Sequence, residues 1–389
     1  MRCRILAFLA VLALPLNAPL ARADILVGFV TGLSGPVASI GIPNARGIAA
    51  GQEYAGTVGG QTIRLIQLDD GSDPTNSARD VRKLVEENHV DILIGTSGAP
   101  QTSAMATAAI ELKTPMIAIS PIPPPPSGEG GPWVVQIPQP QSLLMQAVVE
   151  DMKARGVKTI GFIGFSDALG DLMHGALADS AKAAGLSLVN DERYARTDTT
   201  VAAQVLKTVA LHPDAVLIGG TATPGALPVL GLAERGYKGL VYGNNGMMSQ
   251  DFLRVAGKAA EGLICPTGPV IIAEQLPEAN PIRSVSLAYR AAYAKLNGTE
   301  PTDGFSPYAF DGWVVLLDSA KRALATGAKP GTIEFKAAVR QALFQSQEVV
   351  GTHAIYNFTS GSSFGVDVRS RVLVRLQQGR WVLISSPGK

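Results

Sequence analysis

Short unbroken apolar runs alternate with longer amphipathic stretches along this chain, and the alternation starts twice. Residues 25–31 read as a strand that leads through a Gly/Ser/Pro loop into a helix over 45–54. A strand at 62–68 follows, and Asp73-Pro74 then supplies an N-cap and a first-turn proline for a helix to about Asn88. Strand 92–95, helix 100–112 and strand 116–119 close the first series. Strands written as continuous apolar runs have both faces covered, so with helices between them they form a parallel sheet.

Residues 121–140 break the rhythm with Pro123-Pro124-Pro125-Pro126, three glycines and Pro132. Four consecutive prolines favour a stiff extended segment without ladder hydrogen bonds. One more strand is expected at 133–137. The alternation then restarts: strand 159–165, helix 171–184, strand 186–194, a helix from Thr200, strand 215–218, a helix to Arg235 and strand 240–243. Thr159-Ile160-Gly161-Phe162-Ile163-Gly164-Phe165 echoes Ile25-Leu26-Val27-Gly28-Phe29-Val30, each running into a polar loop. The pattern predicts the α/β class, with two Rossmann-like, doubly wound parallel-sheet lobes. Beyond them lie helices at 280–296, 310–325 and 333–343 and a hairpin of 372–377 and 380–384 turning at Gly379. These are too incomplete for a third domain. They finish the two earlier lobes, which requires the chain to cross between them more than once.

Residues 1–23 have the three parts of a secretory signal peptide: the basic Met1-Arg2-Cys3-Arg4, an apolar run to Leu16, and small residues at Ala21 and Ala23, with cleavage expected after Ala23. The apolar run is about a dozen residues, short of the roughly 20 that a spanning helix needs. Cys3 precedes that run, so it is no lipoprotein attachment site, and its loss leaves Cys265 as the only thiol, without an intramolecular disulfide. Cleavage also removes Arg2, Arg4 and Arg22, leaving 30 basic against 32 acidic residues. Without a concentrated positive field, nucleic acid and anionic lipid are poor candidates as partners.

Several segments together resemble the periplasmic binding proteins that include the leucine/isoleucine/valine-binding protein. They are Leu33-Ser34-Gly35-Pro36 after the first strand, Asp69-Asp70 with Asp73-Pro74, Ile94-Gly95 before a Ser/Thr-rich loop, Ile119-Ser120-Pro121, and Gly351-Thr352-His353 through Tyr356-Asn357-Phe358 with the terminal hairpin. The resemblance covers essentially the whole chain after Ala23. It implies a type I periplasmic binding fold: two lobes joined by three crossovers, a ligand held between them, a closing hinge, a periplasmic location, and delivery of a small molecule to the membrane permease of an ABC importer. Crossovers near Pro138, residues 266–268 and Gly351 would make lobe 1 residues 24–138 plus 267–350, and lobe 2 residues 139–266 plus 351–389. The expected protein is a monomer without cofactor or metal.

In an open parallel sheet, ligands sit beyond the carboxyl ends of the strands. Thr96-Ser97-Gly98-Ala99 precedes Pro100, which fixes a helix start there. The amides of Gln101 and Thr102 are then expected to point unpaired into the cleft, where a helix start favours a carboxylate; alternatively Ser97 and Thr102 only cap their own helix. The resemblance places a serine where Ala99 stands, so one carboxylate donor is missing. It adds Ile40, Ser120 and Ile122, with Phe305 or Tyr308, to the same wall, although Ile40 and Phe305 fit core packing equally well. In the second lobe the matching loops bring Ser166, Leu169, Thr221 and Asn245. Amino-acid binders of this family carry tyrosines near Leu169 and Thr221 and an acid at the Asn245 position. A buried ammonium opposite the neutral Asn245 would cost several kcal/mol. The expected ligand is therefore a carboxylate or neutral organic solute, aromatic ones included, rather than a zwitterionic amino acid. Asn244-Asn245-Gly246 also fits a plain turn.

Catalysis has no support in the residues. Asp69 and Asp70 point to opposite sides of a strand, and His89, His174, His212 and His353 lack metal-ligand spacing. Neither a Gly-x-Ser-x-Gly elbow nor a phosphate-binding loop occurs. The rival to transport is a periplasmic sensor of the same fold that signals to a separate membrane partner.

Overall fold

The structure is a computed structural model that describes residues 24–385. The expected signal peptide, residues 1–23 with Cys3, lies outside the described residues. A first sheet holds β1 (Ile25–Thr31), β2 (Thr57–Val58), β3 (Gln61–Asp69), β4 (Ile92–Gly95), β5 (Met116–Ala118) and β6 (Val134–Gln136), in the order β2-β3-β1-β4-β5-β6. β1 lies between β3 and β4 and pairs with both in parallel. A second sheet begins with β7 (Thr159–Phe165), β8 (Ser187–Tyr194), β9 (Ala215–Gly219), β10 (Leu240–Tyr242) and β11 (Ile264–Thr267). After a two-stranded ribbon, β12 (Val349–Val350) and β13 (Ile355–Tyr356), the hairpin β14 (Val372–Gln377) and β15 (Arg380–Ser385) completes it in the order β15-β14-β11-β10-β9-β7-β8. Apart from β2 and that hairpin, the strands of both sheets run parallel and the two strand orders match, so the doubly wound repeat expected from the sequence is present.

Helices α1 (Ala38–Tyr54), α2 (Pro74–Arg82) and α3 (Ala99–Glu111) belong to the first series, and α4 (Gln141–Ala154), α5 (Ala168–Ala184), α6 (Ala202–Ala210), α7 (Ala226–Glu234) and α8 (Gln250–Ala256) to the second. Then α9 (Pro281–Asn297), α10 (Ser306–Ala325) and α11 (Ile333–Leu343) return to the first lobe, where α9 and α10 lie on α1 and α11 on α10. Two glycines one turn apart on α1 allow this approach. A Cβ on Gly47 would stand 2.0 Å from the Ser306 carbonyl oxygen, and one on Gly51 would stand 2.5 Å from Cγ of the buried Trp313. Asp73 caps α2 as expected, accepting from the Asn76 amide at 2.9 Å.

Three departures from the sequence reading have local causes. α1 starts seven residues before the expected Ala45 and carries Pro43 inside it; a proline that early removes only the bond to the carbonyl of Ser39. α4 and β11 do not stand out in the sequence pattern: α4 follows directly on Pro138 and Pro140, and Pro266 lies inside the otherwise strand-like run of β11. The third passage between lobes comes later than Gly351. Tyr356 and Phe358 lie in the first lobe's core, and the Gln136 amide of β6 donates to the Ser363 carbonyl at 2.8 Å. We therefore place that passage between Phe364 and Val372.

Candidate functional site

Each sheet reverses its strand order once, between β1 and β4 in the first and between β7 and β9 in the second. Open α/β sheets bind ligands at such points, and here the loops leaving the two points face each other. They enclose about 460 Å³ of space between atoms, mouth included. The first lobe contributes Ile40, Ser97, Gly98, Ala99, Ile119, Ser120, Pro121, Phe305 and Tyr308. Pro138 and Gln141 come from the first passage and the start of α4, and Leu169, Met173, Arg196, Thr221, Asn245 and Gly246 from the second lobe. The lobes touch: Ile40 and Phe305 pack on Ala222, and Asn245 Nδ2 donates to Tyr308 Oη at 2.9 Å. The conformation is closed. Another groove, between Met248, Tyr289, Asp303 and Trp381, meets neither switch point.

Of the residues singled out in the sequence, Ile40, Ser97, Gly98, Ala99, Ser120, Leu169, Thr221, Asn245 and Phe305 border this cleft, and Gln101, Thr102, Ile122 and Ser166 do not. The reasons are specific. The Thr102 amide, expected to be free, donates to the Gly98 carbonyl at 2.8 Å, because Gly98 is the N-cap and Thr102 completes the first turn. Gln101 is turned toward Ser72, whose carbonyl accepts from its Nε2. Ile122 is buried in the core with its amide on Gln136 Oε1, and Ser166 is exposed, its amide on the Tyr194 carbonyl. Ser97 borders the cleft, but its hydroxyl is committed within its own lobe, 2.7 Å from Thr31 Oγ1 and accepting from the Gly32 amide at 3.1 Å. Asn244 and Asn245 divide their work. Asn244 holds the turn through Gly246, Ile218 and Gly220, and Asn245 faces the other lobe.

The second lobe holds what the sequence reading missed. Asp167 caps α5, Oδ1 accepting from the Leu169 and Gly170 amides, and Oδ2 accepts from Arg196 Nε at 2.6 Å. The Arg196 guanidinium lies 4.1 Å over the Phe165 ring. Its Nη2 is buried and has no partner among the protein's atoms; neither has Thr221 Oγ1, nor either terminal atom of Gln141. Among the described residues no cluster of three or more His, Cys, Asp or Glu side chains suits a metal ion, and no helix is long and apolar enough to cross a membrane.

Behind the cleft, the first and second passages between lobes meet at His353. A Cβ on Gly268 would stand 1.9 Å from His353 Nδ1 and 3.0 Å from Gln139 Nε2, so only glycine fits there. The His353 ring stacks on Tyr308 with centroids 3.8 Å apart, and Tyr308 Oη donates to Gln139 Oε1 at 2.6 Å. One hydroxyl thus joins the second lobe's Asn245 to the hinge. Asp311 accepts from the Thr352 and His353 amides and the Tyr356 hydroxyl.

Burial pushes Asp311 up to about 6 and His353 down to about 3, from 3.8 and 6.5. Between about pH 6 and 4 the native state takes up a proton on Asp311 that the unfolded chain does not, which adds stability on acidification. Between pH 6.5 and 3 the unfolded chain protonates His353 and the native state does not, which removes it. His353→Gln should therefore lessen the acid loss of stability by about 3 kcal/mol between pH 7 and pH 4. Urea midpoints at both pH values check this, and equal pH slopes for variant and native protein would refute it.

The sequence profile of the periplasmic binding proteins matches residues 24–360. The Leu/Ile/Val-binding protein homolog 3 of Brucella melitensis biotype 1 is 25% identical over 259 residues, 63% of this chain and 67% of that protein. An extracellular ligand-binding receptor from Rhodopseudomonas palustris HaA2 is 39% identical and superposes with a TM-score of 0.89, over 93% of this chain and all of the other. In fold alone the chain is also similar to an ABC transporter solute-binding protein from R. palustris in complex with benzoate (TM-score 0.76, 20% identity, 94% of this chain and 96% of that one). With two matching sheets closed on a shared cleft and that profile running almost end to end, the chain belongs to the type I periplasmic binding proteins of the Leu/Ile/Val-binding family.

Proposed function

We propose that this protein captures a small organic solute in the periplasm by closing its two lobes, and presents it to the membrane permease of an ABC importer. The observation that carries the reading is the cleft itself: the switch points of two matching sheets face each other, and the residues between them come from both lobes. A solute gripped by both halves stabilises the closed arrangement and with it a surface on which both lobes present a fixed relative orientation. The ligand is a carboxylate or a neutral organic molecule, with apolar walls from Ile40, Ile119, Leu169, Met173 and Phe305 around its body. The signal peptide, residues 1–23, exports the chain.

A thermal-shift screen of the protein against amino acids, aromatic acids, dicarboxylates, amides and sugars tests capture. A ligand at a hundred times its dissociation constant should add about 2.7 kcal/mol of stability. Deleting the gene tests the destination. Lost uptake of the ligand supports delivery to an importer, and normal uptake with altered gene expression would make the protein a sensor.

A further inference from the structure

We infer that the cleft selects organic acids that lack an ammonium group, and that the acid group is received by the second lobe, at Arg196, Thr221 and Gln141. This rests on the solute-binding reading above.

Buried polar atoms in native proteins are almost always hydrogen-bonded. Four such atoms around one cavity are not paired within this protein: Arg196 Nη2, Thr221 Oγ1, and Nε2 and Oε1 of Gln141. Three of the four can donate. Their complement is a group rich in lone pairs and able to use a charged donor, which describes a carboxylate. Arg196 is also fixed in place, with Nε on Asp167 and its plane over Phe165, so Nη2 is aimed before any solute arrives.

Charge gives the same answer. Among the described residues Arg196 is the one permanently charged side chain bordering the cleft, and no Asp or Glu borders it. Its partner Asp167 is spent on two helix amides and on Arg196 itself. The ammonium of an α-amino acid would find no carboxylate and would lie near a guanidinium. The first lobe, by contrast, has little left to offer an acid: the Ser97 hydroxyl is tied to Thr31 and Gly32, the Thr102 amide is inside its helix, and Ala99 has no hydroxyl. The acid end is therefore opposite to the first-lobe helix start where the sequence had placed it.

Calorimetry on the purified full chain tests this with matched sets on one carbon frame: 4-methylpentanoate, its amide and leucine; 3-phenylpropanoate, its amide and phenylalanine; benzoate and benzamide. The tightest binder should be an acid without an amino group, by at least about tenfold over its amide and amino acid. Arg196→Gln should cost that acid about 10- to 100-fold in affinity and leave the amide nearly unchanged, with Arg196→Lys in between. Thr221→Val with Gln141→Leu reads the same site while keeping the Arg196–Asp167 pair, should Arg196→Gln not fold. Preference for leucine, phenylalanine, an amide, a sugar or a nucleoside overturns the inference and leaves solute binding standing. So does an Arg196→Gln protein that keeps both its melting temperature and its acid affinity. Failure to bind any solute in a broad metabolite set overturns both.

Discussion

Trp313→Ala is expected to lower the stability of the protein by about 3–5 kcal/mol, the cost of emptying a large aromatic site in a packed core. Trp313 is fully buried on α10, against the face of α1 that Gly51 leaves bare, and its Nε1 donates to the Ala55 carbonyl at 2.9 Å. Truncation removes the ring and orphans that carbonyl. The two helices cannot simply close on the space, because Gly47 already brings the backbones to the limit at Ser306. Urea unfolding should show an earlier midpoint with an unchanged slope. A loss under about 1 kcal/mol would mean that α10 relaxes into the void after all.

Tyr308→Phe should weaken ligand binding by about 10- to 100-fold while barely altering the cleft's shape. The hydroxyl accepts from Asn245 and donates to Gln139, so its removal strands two buried groups at roughly 1–3 kcal/mol each. The Asn245 share falls on the closed state, since an opened second lobe exposes that amide to water. Apparent affinity falls in proportion to the population that can close. The stacking on His353 persists, which separates this effect from collapse of the hinge. Dissociation rates by stopped flow should rise by about the same factor. An unchanged dissociation rate, with the affinity intact, would show that the Asn245–Tyr308 bond contributes nothing to closure.

Strands were readable where a largely apolar run ended in turn residues: β1, β4 and β7 begin and end as expected, as does β14 despite Arg375 within it. Helix starts were less so. α5 begins at Ala168, not Asp171, because Asp167 caps it, and α10 begins at Ser306, ahead of the expected Phe310. The position of the cleft followed from strand order, which depends on topology alone, and so its loops were legible. The state of each polar atom in them was not. Ser97 loses its hydroxyl to Thr31, and Thr102 its amide to Gly98, through bonds that only assembled sheets and helices create. Arg196 escaped notice because its direction is set by Asp167, 29 residues earlier, and by Phe165 beneath it. The available signal was an arginine just past the carboxyl end of β8, in the zone where solutes sit.

The late third passage has a consequence for the order in which the lobes can fold. The first lobe needs Tyr356 and Phe358 to fill its core, and the second needs the hairpin at 372–385 to cover the edge of β11. Neither half is complete until the hairpin has been made. Domains ordinarily fold in order from the N-terminus as they emerge; here two interleaved halves both draw on residues 356–385, so the first lobe cannot finish its core well ahead of the second.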